Sequence, residues 1–355
     1  MTVQEVWAGG QTMTVGASGP TALREPPDLA SATPLDLTLL AGVLTQAERR
    51  DTFVTIHLNK DFVMTRPLTV LVASDGSAAA RAAVTLAGHL PWPDDTRAIG
   101  VVAGATPPAI GLGLLYRDAL MQSRRSEAQR LEVFLRDRFS ESRVALSGRP
   151  PVDAILAEQR RRRAHVIVVG RRGLGVLGRL ALGSVSRRVV QEAPCAVLVA
   201  KRASHAVGRF VIAVDGSAAS VRGVRFIERL KASTGGRVLL VAVVPPIPLP
   251  LMGRAPASVR SDVRRHVARE QTKRDAAARR HLDNAAKRLR TAGWNVTTNV
   301  RRGTPVVEIL KAASTWRADV LVCGARNTQG VNRLLLGSVA DGLVSRSPVS
   351  VLIAR

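Results

Sequence analysis

The chain has 355 residues, 46% hydrophobic and 22% charged, a balance that points to folded globular domains rather than disorder throughout. Such a length holds two or three domains with sizeable cores. Lys and Arg number 52 against 27 Asp and Glu, a net charge of +25, while aromatics are only 3%. Basic residues without interleaved aromatics argue against a stacking platform for single strands. They leave a solvated basic surface or salt-sensitive adhesion to polyanions, and no specific nucleic-acid partner is expected.

No run of about 18 apolar residues occurs, so no transmembrane helix and no membrane partner are expected. Glu5, with no basic cluster ahead of an apolar core, argues against a secretory signal. Cys195 and Cys323 each lie in an apolar, strand-like run. They read as buried reduced thiols, which fits a cytoplasmic protein. The six histidines (His57, His89, His165, His205, His266 and His281) show no metal-ligand spacing.

Residues 1–66 carry Gly9-Gly10, Gly16, Gly19-Pro20, Pro26-Pro27 and Pro34, and are slightly acidic. They read as a mostly disordered extension with one short helix from Leu35 to Glu48. A repeat of alternating strand and helix begins near Pro67. Its strands are expected at Leu68 to Ala73, Arg97 to Ala103, Arg143 to Ser147, Ala164 to Val169 and Cys195 to Ala200. Its helices are expected at Ser77 to Leu90, at Tyr116 to Phe139, after the turn that opens GRPPVDAIL as far as about Arg163, and at Ser184 to Glu192. The first strand ends in Ser74-Asp75-Gly76-Ser77. The fourth, apolar and β-branched as a strand buried on both faces should be, empties into GRRGLGVLGRLALGS, Gly170 to Ser184.

That loop brings glycine and a hydroxyl to a helix start, with Arg171, Arg172 and Arg179 and no acidic residue. Glycine lets a ligand approach the main chain. A helix N-terminus offers free N–H groups and a positive dipole end to phosphate. Ser184 reads as the N-cap.

The pattern then recurs. FVIAVDGSAAS (Phe210 to Ser220) restates VLVASDGSAAA (Val70 to Ala80), and GTPVVEIL (Gly303 to Leu310) matches GRPPVDAIL. Further strands are expected at Arg237 to Val243, Trp294 to Val300, Ala318 to Cys323 and Val349 to Ala354, with a long helix from Ser258 to Ala292. The chain is therefore two copies of one domain, 67–203 and 207–355, joined by a linker around His205 and Gly208. Five alternations per copy demand an α/β fold: two tandem doubly wound five-stranded parallel-sheet domains. Ligands in such sheets bind outside the carboxyl ends of the strands, which puts Asp75 or Asp215 in the same crevice as its glycine loop. Each Asp could equally serve as an N-cap.

Glycine, two residues, glycine, nine residues, Gly-Ser resembles the nucleotide signature of ATP-binding universal stress proteins, and the tandem repeat extends the likeness over 67–355. The resemblance implies the adenine nucleotide alpha hydrolase-like, Rossmann-like fold and ATP as ligand, with Mg2+ as its companion ion. It implies that Asp75 meets the adenine end while Gly170, Arg171, Gly173, Gly183 and Ser184 hold ribose and phosphates. In the second copy Asp215, Gly324, Gly337 and Ser338 stand at their places, but Asn327 replaces the second glycine, which puts binding there in question. The resemblance also implies that the two last strands meet in an intramolecular pseudo-dimer, leaving room for a homo-oligomer. The expected function is an ATP-binding stress-response or sensor module. The alternative is a nucleotide-independent interaction protein whose basic surface engages anionic partners. No G-x-x-x-x-G-K-[ST] loop, no carboxylate base in either glycine loop and no Ser/His/Asp arrangement argue for a catalyst, so no catalytic or metal residues are assigned. Slow ATP hydrolysis with Asp75 as a metal ligand stays open.

Overall fold

A computed structural model describes residues 2–8, 11–17, 54–56, 67–104, 112–171, 182–232, 235–249, 256–325 and 336–355. The chain divides into two compact units, Met1–Arg66 and Pro67–Arg355.

The first unit contains an antiparallel sheet of β1 (Thr2–Ala8), β2 (Gln11–Ala17) and β3 (Val54–Ile56). The sequence reading expects a mostly disordered extension here and does not anticipate these three strands. Ala8 pairs with Gln11, so only Gly9 and Gly10 lie between β1 and β2. A Gly-Gly pair between two β-branched, alternating runs is a hairpin signal, not merely a breaker. The expected helix at Leu35 to Glu48 lies outside the described residues.

The second unit begins with β4 (Thr69–Ser74), α1 (Ala78–His89), β5 (Arg97–Ala103), α2 (Leu112–Arg136) and β6 (Glu141–Ser147). It continues with α3 (Pro151–Arg162), β7 (Val166–Gly170), α4 (Ser184–Glu192) and β8 (Ala196–Ala200). The second copy follows as β9 (Arg209–Ala213), α5 (Ala218–Glu228), β10 (Arg237–Val244), α6 (Ala257–Thr291) and β11 (Asn295–Arg302). It ends with α7 (Pro305–Thr315), β12 (Val320–Gly324), α8 (Ser338–Arg346) and β13 (Ser350–Ala354).

The ten strands make one sheet, ordered β11-β10-β9-β12-β13-β8-β7-β4-β5-β6. Every neighbouring pair is parallel except β13 with β8, where Val351, Leu352 and Ile353 face Val199, Leu198 and Val197. The two five-stranded copies thus fuse back to back through their last strands. Both strands are fully buried and, Ser350 apart, apolar, and pairing removes two edges that would otherwise stay open.

Helices α1, α2, α5 and α6 cover one face over a core that runs through both copies, from Val70 and Leu135 to Leu240 and Leu289. Helices α3, α4, α7 and α8 cover the other, around Ile167, Val189, Ile309 and Leu343. Two reciprocal contacts pin the junction. Lys201, one residue past β8, donates its Nζ to the Val344 carbonyl at the end of α8. Arg355, the residue past β13, donates to the Val190 and Ala193 carbonyls at the end of α4. Each copy therefore supplies a cation to the other copy's last helix, at the negative end of its dipole.

Candidate functional site

The crevice of the first copy is built at the carboxyl ends of β4 and β7. After β4 the chain turns through Asp75, Gly76 and Ser77 into α1. Gly76 has a φ of 76°, a left-handed conformation suited to glycine. Asp75 is exposed, and its Oδ1 accepts the Ser77 amide at 3.0 Å. Ser77, not Asp75, is the N-cap: its Oγ accepts the Ala80 amide at 3.1 Å. The second copy repeats this, with Ser217 capping α5 and Asp215 accepting from the Ser217 amide and hydroxyl. Burial works to raise the Asp215 carboxyl, but those Ser217 bonds outweigh it, and its pKa lies below the ordinary carboxylate value.

Gly170 closes β7 directly against the first turn of α1. A Cβ built there would lie 2.4 Å from the Ala79 carbonyl oxygen. In the second copy a Cβ on Gly324 would lie 2.2 Å from the Ala219 carbonyl oxygen. The first motif glycine is thus required in each copy by strand–helix packing. That packing also brings the root of the glycine loop beside the Asp turn.

The loop is tied shut at its base. The Gly183 amide donates to the Arg171 carbonyl at 2.8 Å, and the Arg171 amide donates to the Ala200 carbonyl at 2.9 Å. The Ser186 hydroxyl donates to the Gly170 carbonyl at 2.6 Å. Gly183 is the N-cap of α4, so Ser184 is its first helical residue rather than the cap the sequence suggested. No side chain caps α4, nor α8, whose N-cap is Gly337 with Ser338 following. The first-turn amides of both helices are left to other acceptors. Gly173, Arg172 and Arg179 in the first copy, and Asn327 in the second, lie outside the described residues.

The roles of three residues escaped the sequence reading. Glu127 on α2 is buried; it accepts from the Ser74 hydroxyl at 2.6 Å and from Arg130 at 2.9 Å. Its Oε2 would stand 3.3 Å from a Cβ on Gly76, so this carboxylate braces the Asp turn. The signal was present: Glu127 interrupts the apolar line of Leu120, Leu131 and Leu135. In the second copy Val214 stands for Ser74, and His281 packs on Gly216 as Glu127 does on Gly76. Arg222, where the first copy has Ala82, donates to the Ala325 carbonyl at 3.0 Å at the root of the second loop. The two crevices therefore share a backbone and differ in chemistry.

Cys323 is buried, Cys195 partly so, and both are free. Burial pushes each thiol up to about 12, against a lowering influence of Arg355 on Cys195, so neither is a ready nucleophile. His165 Nδ1 accepts the Thr69 amide at 3.0 Å, the role of a packed strand-end residue. Among the described residues no three His, Cys, Asp or Glu side chains gather as a metal site, and no helix is long and apolar enough to cross a membrane.

A doubly wound parallel sheet with a glycine loop and an Asp turn at its strand ends defines a Rossmann-like α/β protein, here in tandem. The description "Universal stress protein family" matches twice, over residues 68–201 and 207–355, and the chain belongs to that family. A universal stress protein of Thermus aquaticus is 38% identical over 136 residues, 38% of this chain and 98% of the relative. Another from Synechocystis is 28% identical over 103 residues, 29% of this chain and 64% of the relative. The solved structure of a universal stress protein from Archaeoglobus fulgidus aligns over 81% of this chain and 98% of its own, at 17% identity and a TM-score of 0.55, which shows the shared fold.

Proposed function

We infer that the first copy binds an adenine nucleotide, ATP with Mg2+, and that the chain acts as a stress-response or sensor module in the cytoplasm rather than as a dedicated catalyst. The observation behind this reading is the closed loop. The hydrogen bond from Gly183 to Arg171 holds Gly183, without a side chain, at the uncapped start of α4, at the root of the glycine loop. Amides at a helix N-terminus suit phosphate. Behind the Asp75 turn the buried Glu127 carboxylate, held by Ser74 and Arg130, disfavours phosphate and favours hydrogen-bond donors. Both influences orient a nucleotide one way, base toward Asp75 and phosphates toward Ser184. Mg2+ would accompany the phosphates, held by their oxygens and by water.

Calorimetric titration with ATP tests this. Gly183→Val places bulk and strain at the helix start and is expected to abolish binding in the first copy. Ser184→Ala is expected to weaken it by about 1 kcal/mol, roughly fivefold. Asn327→Gly is expected to raise the count from one toward two nucleotides per chain. Purified protein that releases no adenine nucleotide on acid extraction and gives no heat with ATP refutes the reading. Unchanged binding in Gly183→Val moves the site elsewhere.

A further inference from the structure

We propose that the outward face of α6 binds the phosphate backbone of a nucleic acid duplex without regard to base sequence. α6 has 35 residues, about 52 Å at 1.5 Å per residue. Its buried residues, Leu282, Ala285, Ala286 and Leu289, set the direction of the core. At roughly 100° per residue, Arg265, Arg269, Lys273, Arg280 and Lys287 fall within an arc of about 80° on the opposite side. All five are exposed. They form one straight row about 33 Å long. Asp262 pairs with Arg265 and Glu270 with Lys273, whereas Arg269, Arg280 and Lys287 have no acidic partner among the described residues.

A merely basic composition does not account for this row, because the first copy supplies an internal control. β5 pairs Arg97 with Glu141 where β10 pairs Arg237 with Asn295, and Leu135 and Leu289 are the matching buried residues. In that alignment Lys273, Arg280 and Lys287 stand where α2 has Ala119, Ser126 and Val133, the last 72% exposed. α6 carries eleven Lys and Arg against four Asp and Glu; α2 carries five against three. Both helices come from one gene and one fold position, so the row is a property of the second copy.

The partner follows from chemistry. A straight row of point cations fits a linear array of negative charge, and a duplex presents one charge per about 1.7 Å of axis. α6 has no Phe, Tyr or Trp on which to stack single-stranded bases. A membrane-surface helix needs a broad bare apolar face; the leucines of α6, Leu282 and Leu289, are buried on the sheet, and its N-terminal half offers only Val259, Val263 and Val267 among basic residues. This inference does not depend on nucleotide binding in either crevice.

The test is fluorescence anisotropy of a labelled duplex of about 20 base pairs with the full chain across a salt series. The variant carries Arg269→Gln, Lys273→Gln, Arg280→Gln and Lys287→Gln, and glutamine preserves helix propensity. At about 0.9 per phosphate, losing four contacts lowers the slope of log affinity against log salt by about 3.6. A control removes the same charge from exposed arginines of the first copy, through Arg125→Gln, Arg136→Gln, Arg143→Gln and Arg161→Gln. It is expected to keep the wild-type slope within about 1. Equal losses in the two variants, or no duplex binding by the wild type, overturn the proposal. So does a variant that keeps duplex binding but loses binding to phosphatidylserine vesicles, since the row would then face a lipid surface. Circular dichroism and melting curves that match the wild type establish that the variants are folded.

Discussion

Gly170→Ala separates packing from ligand contact at the first glycine of the motif. The added methyl would sit 2.4 Å from the Ala79 carbonyl oxygen, 2.5 Å from its carbon and 2.9 Å from the Ala80 nitrogen. These are backbone atoms in the capped first turn of α1, which cannot rotate away as a side-chain tip can. Overpacking of a tight core costs about 1–3 kcal/mol, and a clash with main chain belongs at the upper end. Unfolding entropy of about 2.1 cal/mol/K per residue over some 290 residues converts about 3 kcal/mol into a melting shift of about 5 °C. The assay is thermal and urea unfolding of nucleotide-free protein, so that ligand linkage does not enter. Gly208→Ala is the matched control: nothing lies within 4 Å of its added Cβ, and a change within about 0.5 kcal/mol is expected. A Gly170→Ala protein that melts like the wild type without ligand, yet binds ATP poorly, would falsify the packing argument.

Arg355→Ala removes a partly buried guanidinium from carbonyls at the end of α4 and is expected to lower stability by about 2 kcal/mol, read as a shift in urea midpoint. Asp215, whose pKa is lowered in the folded state, stabilises above the unfolded value of about 3.9 and loses that contribution as pH falls through its folded value. Asp215→Asn should therefore flatten the acid limb of stability below about pH 5, and an unchanged limb refutes it. Removing residues 1–63 is expected to leave the main melting transition within a few degrees, because the second unit holds both large cores; a large drop in midpoint would show that the first unit supports them.

Much of the architecture was legible in the chain because its local signals agree. Runs such as VIVVG and AVLVA are short and rich in β-branched residues, which marks them as strands buried on both faces rather than helix segments. The Asp-Gly-Ser turns and the GTPVVEIL echo revealed two copies, since a repeat is visible without any contact being known. The loop boundaries carried the crevice, because ligand sites of parallel sheets lie where strands end. Boundaries drifted where tertiary packing decides: α2 begins at Leu112 rather than Tyr116, and β6 at Glu141 rather than Arg143. The hairpin of β1 and β2 was missed because Gly-Gly marks a turn as readily as a break.

Only the tertiary structure gave individual residues their tasks. Gly170 reads as a ligand glycine, and only its distance to Ala79 shows that packing demands it. Ser77 and Asp75 both qualify as caps by type, and geometry chose the serine. Glu127 lies 52 positions from Asp75 in sequence, and no periodicity links it to the turn it braces. The reciprocal capping by Lys201 and Arg355 exists only because β8 and β13 pair antiparallel, which brings residues separated by 154 positions into equivalent roles. Local preferences act over a few residues and are written in the order of the chain, whereas these contacts are set by how the sheet closes on itself.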